Sequence, residues 1–252
     1  MTLLRIEHLH KQFGALAATD NLSLEVNHGE LHALIGPNGA GKTTLISQLS
    51  GSLRPDSGQI QFDGRNLLQV PEATRPSLGL VRSFQITSIF PEFSALENVA
   101  LVLQSQQGHS FRFWKAVRDD FELRSRAEEY LKWAGLDREM AIPAYALAYG
   151  QQRQLELAMA LALEPKLLLL DEPMAGMGAE ESLQVVKLLQ QLKGKTTMLL
   201  IEHDMDAVFA VADRVSVLVY GRIIATDTPS EIRENAEVRQ AYLGEHEISV
   251  AN

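Results

Sequence analysis

One short stretch combines the residue types that bind phosphate. The letters "GPNGAGKTT" at residues 36–44 satisfy the pattern GxxxxGK[ST]. Glycines let successive backbone N–H groups turn toward phosphate oxygens, and the start of a helix adds a positive dipole. Lys42 is expected to reach the terminal phosphates, and the Thr43 hydroxyl is expected to ligate Mg²⁺. The stretch predicts a nucleotide-binding phosphate loop made of Gly36, Pro37, Asn38, Gly39, Ala40, Gly41, Lys42, Thr43 and Thr44.

Acidic residues and a histidine follow two later apolar runs. Asp171 and Glu172 end "LLLLDEP", and His203 lies in "LLIEHDM". Parallel sheets present their ligand groups at the carboxyl ends of strands, so these side chains should share one edge. Asp171 is predicted to hold Mg²⁺ directly or through water, and Glu172 to polarise the attacking water. His203 is placed to contact a γ-phosphate or that water, although a lone histidine beside a strand is more often structural.

Gln85, in "VRSFQITSIF", stands where strand-like sequence gives way to helical sequence. Its amide can both donate to and accept from water bound to Mg²⁺. A residue at such a junction can also link nucleotide state to movement. Without further support, however, a surface glutamine is the commoner explanation.

The elements that must position these residues alternate between strand and helix. Continuous apolar runs predict buried parallel strands, helical stretches follow two of them, and alternating segments elsewhere predict an antiparallel lobe. From residue 90 to residue 163 helical patterns dominate, which predicts a helical insertion. The expected strands are 31–35, 167–170 and 197–201, the helices 42–49 and 180–192, and the lobe segments 4–9, 22–26 and 60–62.

Composition restricts the class of protein. The 252 residues are 46% hydrophobic and 22% charged, which fits one domain with an inserted subdomain. The net charge of -9 argues against binding nucleic acid through its phosphates. No apolar run approaches the roughly 20 residues of a membrane span, which predicts a soluble chain. The absence of cysteine excludes disulfides and thiolate metal sites.

A second glycine-marked helix start lies far downstream, in "LAYGQQRQLELAMAL" at residues 147–161. Together with the motifs above, in the order in which they occur, it resembles the signature segment of the ATP-binding cassette (ABC) ATPases, usually LSGGQ. In that family two cassettes pack head to tail, and the signature of one closes over ATP held by the other. The resemblance implies that Tyr149, Gly150 and Gln151 contact a partner's nucleotide, with Gly150 allowing close approach and Gln151 beginning the helix.

Further roles follow from the same resemblance. Phe13, in "HKQFGAL", matches the aromatic residue that stacks on adenine, which implies weak discrimination between ATP and GTP. Gln85 matches the Q-loop, and His203 matches the switch histidine. The letters "PMAGMG" at residues 173–178 match the D-loop, which crosses the dimer interface.

The implied architecture is the ABC ATPase fold, an α/β phosphate-loop NTPase core with a parallel sheet, an antiparallel β lobe and an inserted α-helical subdomain. The expected core spans residues 1–87 and 163–227, the helical subdomain 88–162, and a C-terminal tail packed on the core 228–252. Two positions depart from the family. Ala148 replaces the usual signature serine, and Gly178 replaces the Asn or Asp common in the D-loop, which should make that loop looser.

Within the family, "IEHDMDAV" and the ending "TPSEIRENAEVRQAYLGE" are similar to the ATPases of bacterial branched-chain amino acid importers. This implies an ATPase that uses ATP and Mg²⁺, peripheral on the cytoplasmic face of the membrane. Its implied partners are a second ABC ATPase subunit, transmembrane permease subunits and, indirectly, a solute-binding protein. Ile86, Ile89, Phe90 and Phe93 would line either a permease-facing groove or the subdomain core.

Other functions stay open at this stage. A comparable ending occurs in the lipopolysaccharide-transport ATPase. A non-transport cassette in DNA repair or translation would need long coiled coils or two cassettes in one chain. A phosphate-loop GTPase or small-molecule kinase would leave "YGQQR" unexplained.

Overall fold

The computed structural model describes residues 1–83, 89–106 and 120–241. The strands of these ranges are β1 (Thr2–Phe13), β2 (Leu16–Asn27), β3 (Leu31–Ile35), β4 (Ser57–Phe62), β5 (Arg65–Asn66), β6 (Leu80–Arg82), β7 (Leu167–Asp171), β8 (Thr197–Ile201), β9 (Arg214–Val219) and β10 (Arg222–Asp227). The helices are α1 (Lys42–Ser50), α2 (Ala95–Gln106), α3 (Phe121–Trp133), α4 (Tyr149–Ala162), α5 (Ala179–Leu192), α6 (Met205–Val211) and α7 (Pro229–Glu234).

The main sheet has the strand order β10-β9-β3-β8-β7-β6, and five of its strands run parallel. β3 and β8 are buried along their whole length, as is β7 up to Asp171, because helices or the second sheet cover both faces. The predicted parallel strands are therefore confirmed. β10 was not anticipated: only Tyr220 and Gly221 separate it from β9, and so short a connection forces an antiparallel edge strand.

The predicted antiparallel lobe is also confirmed, as a second sheet of order β2-β1-β4-β5. Its apolar side packs with α1 and one face of the main sheet in a shared core. That core includes Ile6, Leu22, Leu34, Leu45, Phe62, Leu169 and Leu199. This packing holds β2 against the loop that follows β3, because the carbonyl oxygen of Ala18 faces Gly41.

Helices α2, α3 and α4 lie between β6 and β7 in the sequence and pack on one another, as the helical patterns predict. They share a second core with the opposite face of the main sheet, which includes Val99, Leu131, Leu155, Leu168, Leu189 and Leu200. Ile232 and Val238 from the tail are buried in the same core. The exact boundaries of the core, subdomain and tail stay a prediction.

Among the described helices, none combines the length and the apolar character needed to cross a membrane.

Candidate nucleotide-binding and hydrolysis site

The carboxyl ends of three parallel strands meet at one edge of the main sheet. Leu34 of β3 and Asp171 of β7 both pair with Ile201 of β8, so the three strands end in register. The phosphate loop follows β3, Asp171 ends β7 with Glu172 next to it, and His203 lies two residues after β8. The structure thus brings together side chains that lie far apart in the sequence.

The phosphate loop turns tightly between β3 and α1. Gly36, Gly39 and Gly41 have φ values of 154°, 76° and 108°, in the region that favours glycine. A Cβ on Gly36 would collide with the carbonyl oxygen of Leu218, and one on Gly41 with that of Ala18. Because these neighbours are backbone atoms, both positions accept only glycine without rearrangement.

Lys42 is the first residue of α1, and its side chain is bent back over the loop. Its Nζ donates hydrogen bonds to the carbonyl oxygens of Gly36, at 2.5 Å, and Pro37, at 2.9 Å. The ammonium group is thus buried within the phosphate loop. Thr43, beside it, is exposed at the start of the helix, where its hydroxyl can meet a ligand.

Glu172 and His203 form a pair at the sheet edge. Nε2 of His203 lies 2.7 Å from Oε1 of Glu172, within hydrogen-bond distance. Both side chains are nearly half exposed, so water can reach the carboxylate. Glu172 takes a left-handed conformation, φ 51°, where the chain leaves β7. The pair has the geometry of a general base steadied by an imidazole.

Asp171 is engaged differently. Its Oδ2 accepts a hydrogen bond of 2.8 Å from Nη2 of Arg82, and both side chains are largely buried. Sequence reasoning singled out Asp171 but missed Arg82. The signal was an arginine inside the short strand-like run "GLVRS".

Glu202 is a second residue that sequence reasoning missed. Its buried carboxylate accepts hydrogen bonds of 2.9 Å from the backbone N–H groups of Met174 and His203. It therefore connects the start of the D-loop to the residue that contacts Glu172. A charged residue ending the otherwise apolar run "LLIEH" was the available signal.

The signature turn lies against the D-loop of the same chain. A Cβ on Gly176 would stand 3.0 Å from Cε1 of Tyr149, so the exposed Tyr149 ring packs on that glycine. Gly150 is buried, and the carboxylate of Glu181 fills the space where its Cβ would be. Oε2 of Glu181 also accepts a 3.0 Å hydrogen bond from the N–H of Gly178. A side chain from α5 thus holds the D-loop at the position that lacks the usual Asn or Asp.

The expectation from the sequence that Gln151 begins the signature helix is wrong. The helix begins two residues earlier, at Tyr149. Gln151 Oε1 instead accepts from the N–H of Ala148 at 3.0 Å, and its Nε2 donates to Glu139 at 3.2 Å. The Gln151 side chain thus makes one half of a capping box by accepting from the N–H of Ala148. The other half, a side-chain oxygen at position 148 that accepts from the N–H of Gln151, is absent because residue 148 is alanine.

Phe13 ends β1, and its ring is half exposed. It pairs with Leu16 across the turn into β2, the strand whose Ala18 carbonyl contacts Gly41 of the phosphate loop. Nζ of Lys11 stands 5.5 Å from the centre of the Phe13 ring. An exposed ring at the end of the strand pair that contacts the phosphate loop suits stacking on a nucleobase.

The oxygen donors of the site fit Mg²⁺. The Thr43 hydroxyl and the Asp171 carboxylate are the hard ligands that this ion prefers. Within the described ranges no cluster of three or more His, Asp or Glu residues could hold a metal by itself. Mg²⁺ is usually bound through one or two carboxylates together with substrate phosphates, and Asp171 offers one such carboxylate. Gln85, the third predicted metal contact, lies outside the described residues.

Comparison with known proteins agrees with this arrangement. The ABC transporter family matches residues 19–175, and the family described as branched-chain amino acid ATP-binding cassette transporter matches residues 222–248.

Curated relatives and solved structures extend along nearly the whole chain. The high-affinity branched-chain amino acid transport ATP-binding protein LivG of Salmonella typhimurium is 40% identical over 96% of this chain and 98% of its own. BraF of Pseudomonas aeruginosa, which carries the same description, is 36% identical over the same shares.

Among solved structures, the ADP conformation of an ATP-binding cassette of an ABC transporter superposes with a TM-score of 0.82 at 32% identity. That match covers 97% of this chain and 99% of the other. A nucleotide-free cassette gives a TM-score of 0.81 at 31% identity, over 96% of this chain and 99% of the other. The chain therefore belongs to the ABC transporter family, as one of its ATP-binding, ATP-hydrolysing subunits.

Proposed function

We propose that the chain is the energy-coupling ATPase of a branched-chain amino acid importer, working on the inner face of the cell membrane. The names of LivG and BraF and the family match at residues 222–248 support this cargo. They favour it over lipopolysaccharide transport, since both relatives match along nearly the whole chain. A strain lacking the subunit should lose uptake of labelled leucine, isoleucine and valine. Unchanged uptake of all three, with loss of another solute, would reassign the cargo.

Hydrolysis is assigned to the residues at the sheet edge. Phe13 stacks on the adenine, and the loop from Gly36 to Thr44 surrounds the phosphates. The Glu172 carboxylate accepts a proton from the attacking water, while His203 holds that carboxylate in place. The closeness of Nε2 of His203 to Oε1 of Glu172 is the observation that carries this assignment. Water adds to the γ-phosphorus, the bond to the ADP oxygen breaks, and phosphate leaves.

A bound Mg²⁺ would neutralise phosphate charge and polarise the γ-phosphate. Thr43 and Asp171 are proposed as its protein ligands, with Gln85 as a third from the sequence pattern. Lys42 holds its ammonium group on the loop carbonyls until phosphate oxygens replace them.

Two copies, or this chain and a related ATPase, are proposed to close head to tail over ATP. The signature turn of one subunit, with Tyr149, Gly150 and Gln151, would then complete the site of the other. The exposed Tyr149 and the close packing of the turn on the D-loop support this, because D-loop and signature would reach the partner as one surface. ATP favours closure only because the closed state offers it additional contacts.

A Glu172→Gln variant tests the composite site. With its base removed but its phosphate contacts intact, it should bind ATP and accumulate as a dimer in size-exclusion chromatography. Lys42→Ala is the matched control, which should lose nucleotide binding and stay monomeric. A Glu172→Gln chain that binds ATP and yet remains monomeric at every nucleotide concentration counts against the proposed pairing.

The permease is proposed to dock near Phe90 and Phe93. The two rings stack with their centres 5.5 Å apart and are 48% and 41% exposed, which favours the groove over the core alternative for these positions. Ile89 is only partly buried and packs against the core, and Ile86 lies outside the described residues.

Changing Phe90 and Phe93 to Ser should reduce co-isolation with membrane subunits. Tyr220→Ser, at the exposed β9–β10 turn, is the control expected to leave it unchanged.

A further inference from the structure

Arg82 occupies an unusual position for a charged side chain. It ends β6, the edge strand next to β7, and pairs in register with Leu169, two residues before Asp171. Its guanidinium lies 2.8 Å from the Asp171 carboxylate, and the two side chains are 15% and 14% exposed. Arginine is thus the cation that contacts the predicted metal ligand in this structure.

The pair is incompletely satisfied. Nε of Arg82 and Oγ of the adjacent Ser83 are buried, and within the described part of the chain neither has a hydrogen-bond partner. Buried polar atoms normally find partners, and exceptions mark places where a water, an ion or a second state completes the network. The contact therefore suits a temporary arrangement better than a permanent structural ion pair.

The contact with Arg82 changes the charge that an incoming nucleotide meets at Asp171. Without a counter-charge, the Asp171 carboxylate would repel the phosphates of an incoming nucleotide, and in a largely buried site such repulsion is weakly screened. A guanidinium neutralises the carboxylate in the absence of metal. When Mg²⁺ accompanies the nucleotide, it supplies the positive charge itself.

We propose that Arg82 is a positioning residue that neutralises Asp171 before metal arrives and gives way to Mg²⁺ when it binds. This inference rests on the proposed function, since it takes Asp171 as a metal ligand. Its consequence is that Arg82 controls how strongly nucleotide binding depends on Mg²⁺.

The test measures dissociation constants for a non-hydrolysable ATP analogue, with Mg²⁺ and with EDTA, and compares their ratio among full-length variants. Arg82→Gln should weaken metal-free binding roughly tenfold or more, because the uncompensated Asp171 carboxylate then repels the phosphates of the analogue, while binding with Mg²⁺ changes little. Arg82→Lys keeps the charge and should stay close to the wild-type ratio. When Asp171→Asn has already removed the carboxylate charge, adding Arg82→Gln should leave the ratio of the Asp171→Asn variant unchanged.

Equal weakening of both dissociation constants would indicate a purely structural role and overturn the inference. An NMR readout follows the wild-type chain itself and uses one conservative variant only to assign the resonance. The Arg82 Nε–Hε resonance, assigned by its absence in Arg82→Lys, should shift when Mg²⁺ joins the bound analogue but not when metal-free analogue binds. An unmoved resonance on adding Mg²⁺ would also overturn it. If the chain binds nucleotide normally but the ratio of the two dissociation constants does not depend on Arg82, the inference fails and the proposed function stands. If the wild-type chain binds no nucleotide, both the inference and the proposed function fail.

Discussion

Individual residues at the sheet edge are held by specific partners rather than by the loops alone. His203 contacts Glu172 through its ring and is anchored through its backbone by Glu202, which also binds Met174 at the start of the D-loop. A single buried carboxylate thus links the proposed base, its histidine and the segment expected to meet the partner. Substitutions at these residues should therefore separate effects on stability from effects on hydrolysis.

The histidine is expected to act on hydrolysis and not on binding. His203→Ala removes the partner of Glu172 without touching the phosphate loop, so the turnover rate should fall by about 10²- to 10⁴-fold, the range typical of acid–base groups. Affinity for a non-hydrolysable analogue should stay near the wild-type value in a titration. In a Glu172→Gln background the substitution should add little further loss. Fully additive losses would argue against a coupled pair.

Glu202 is expected to act on stability. Glu202→Gln leaves one acceptor oxygen where two backbone N–H groups need partners, and an unpaired buried donor costs about 1 to 3 kcal/mol. Urea unfolding should show that loss. Glu128→Gln is the control, because the Glu128 ion pair with Arg124 lies on the helix surface and should be worth less than about 0.5 kcal/mol. Equal stability of the two variants would refute the anchoring role of Glu202.

At the scale of elements, Gly36 of the phosphate loop and Gly150 of the signature turn have different neighbours. Gly36 faces the backbone carbonyl of Leu218, at the end of β9, whereas Gly150 faces the mobile end of the Glu181 side chain on α5. The first contact cannot relax without moving the sheet. The second can relax by rotating one side chain, although that rotation would release the N–H of Gly178 from its partner.

The two glycines should therefore respond differently to alanine. Gly36→Ala should destabilise the isolated chain by more than the ~1 to 3 kcal/mol of a strained backbone position, because a collision is added. Gly150→Ala should leave the melting temperature nearly unchanged and weaken ATP-dependent dimerisation in a Glu172→Gln background.

A double variant identifies the cause of the Gly150→Ala defect. If the collision with Glu181 alone weakens dimerisation, the double variant with Glu181→Ala should dimerise as well as Glu181→Ala alone, which lacks the contact with Gly178 but has no collision. If Gly150 is needed for approach of the partner's phosphates, as proposed, the defect should remain. Restoration of full dimerisation would count against the signature contact.

At the scale of the whole molecule, a buried polar network connects the two sheets. Glu30 receives hydrogen bonds from the backbone and side chain of Asn27 at the end of β2. It also pairs with His32 of β3, which in turn contacts Ser216 of β9. Burial by itself raises the pKa of the Glu30 carboxyl, but the hydrogen bonds from His32 and Asn27 outweigh it and lower that pKa from 4.5 to about 2.

This network predicts a pH dependence of stability. Because the folded pKa of Glu30 is lowered, its contribution is fully present above pH 4.5 and is lost as pH falls toward about 2. The shift corresponds to roughly 3 kcal/mol at neutral pH. Denaturant unfolding of Glu30→Gln and wild type should therefore differ most at pH 7 and converge on acidification. A difference that is independent of pH would show that the charge of Glu30 is not the stabilising element.

Local sequence was sufficient for the phosphate loop, the buried strands of the main sheet and the positions of Asp171, Glu172 and His203. These features depend on neighbours within a few residues: glycines at fixed spacing, continuous apolar runs and the polar residues that end them. The antiparallel lobe also followed from its alternating pattern. The start of α4 was misplaced by two residues, because the Gln151 side chain folds back to Ala148, and such a contact leaves no trace in residue periodicity.

Partners that are distant in sequence were decided by folding alone. Arg82 meets Asp171, Glu181 fills the space beside Gly150, and Glu202 reaches Met174 only because the strand order and helix packing bring their elements together. Such contacts depend on register and side-chain direction across the sheet, which no single stretch of the chain encodes. The chemistry was thus visible in short motifs, whereas the groups that neutralise, anchor and space the reactive residues emerged only from the assembled core.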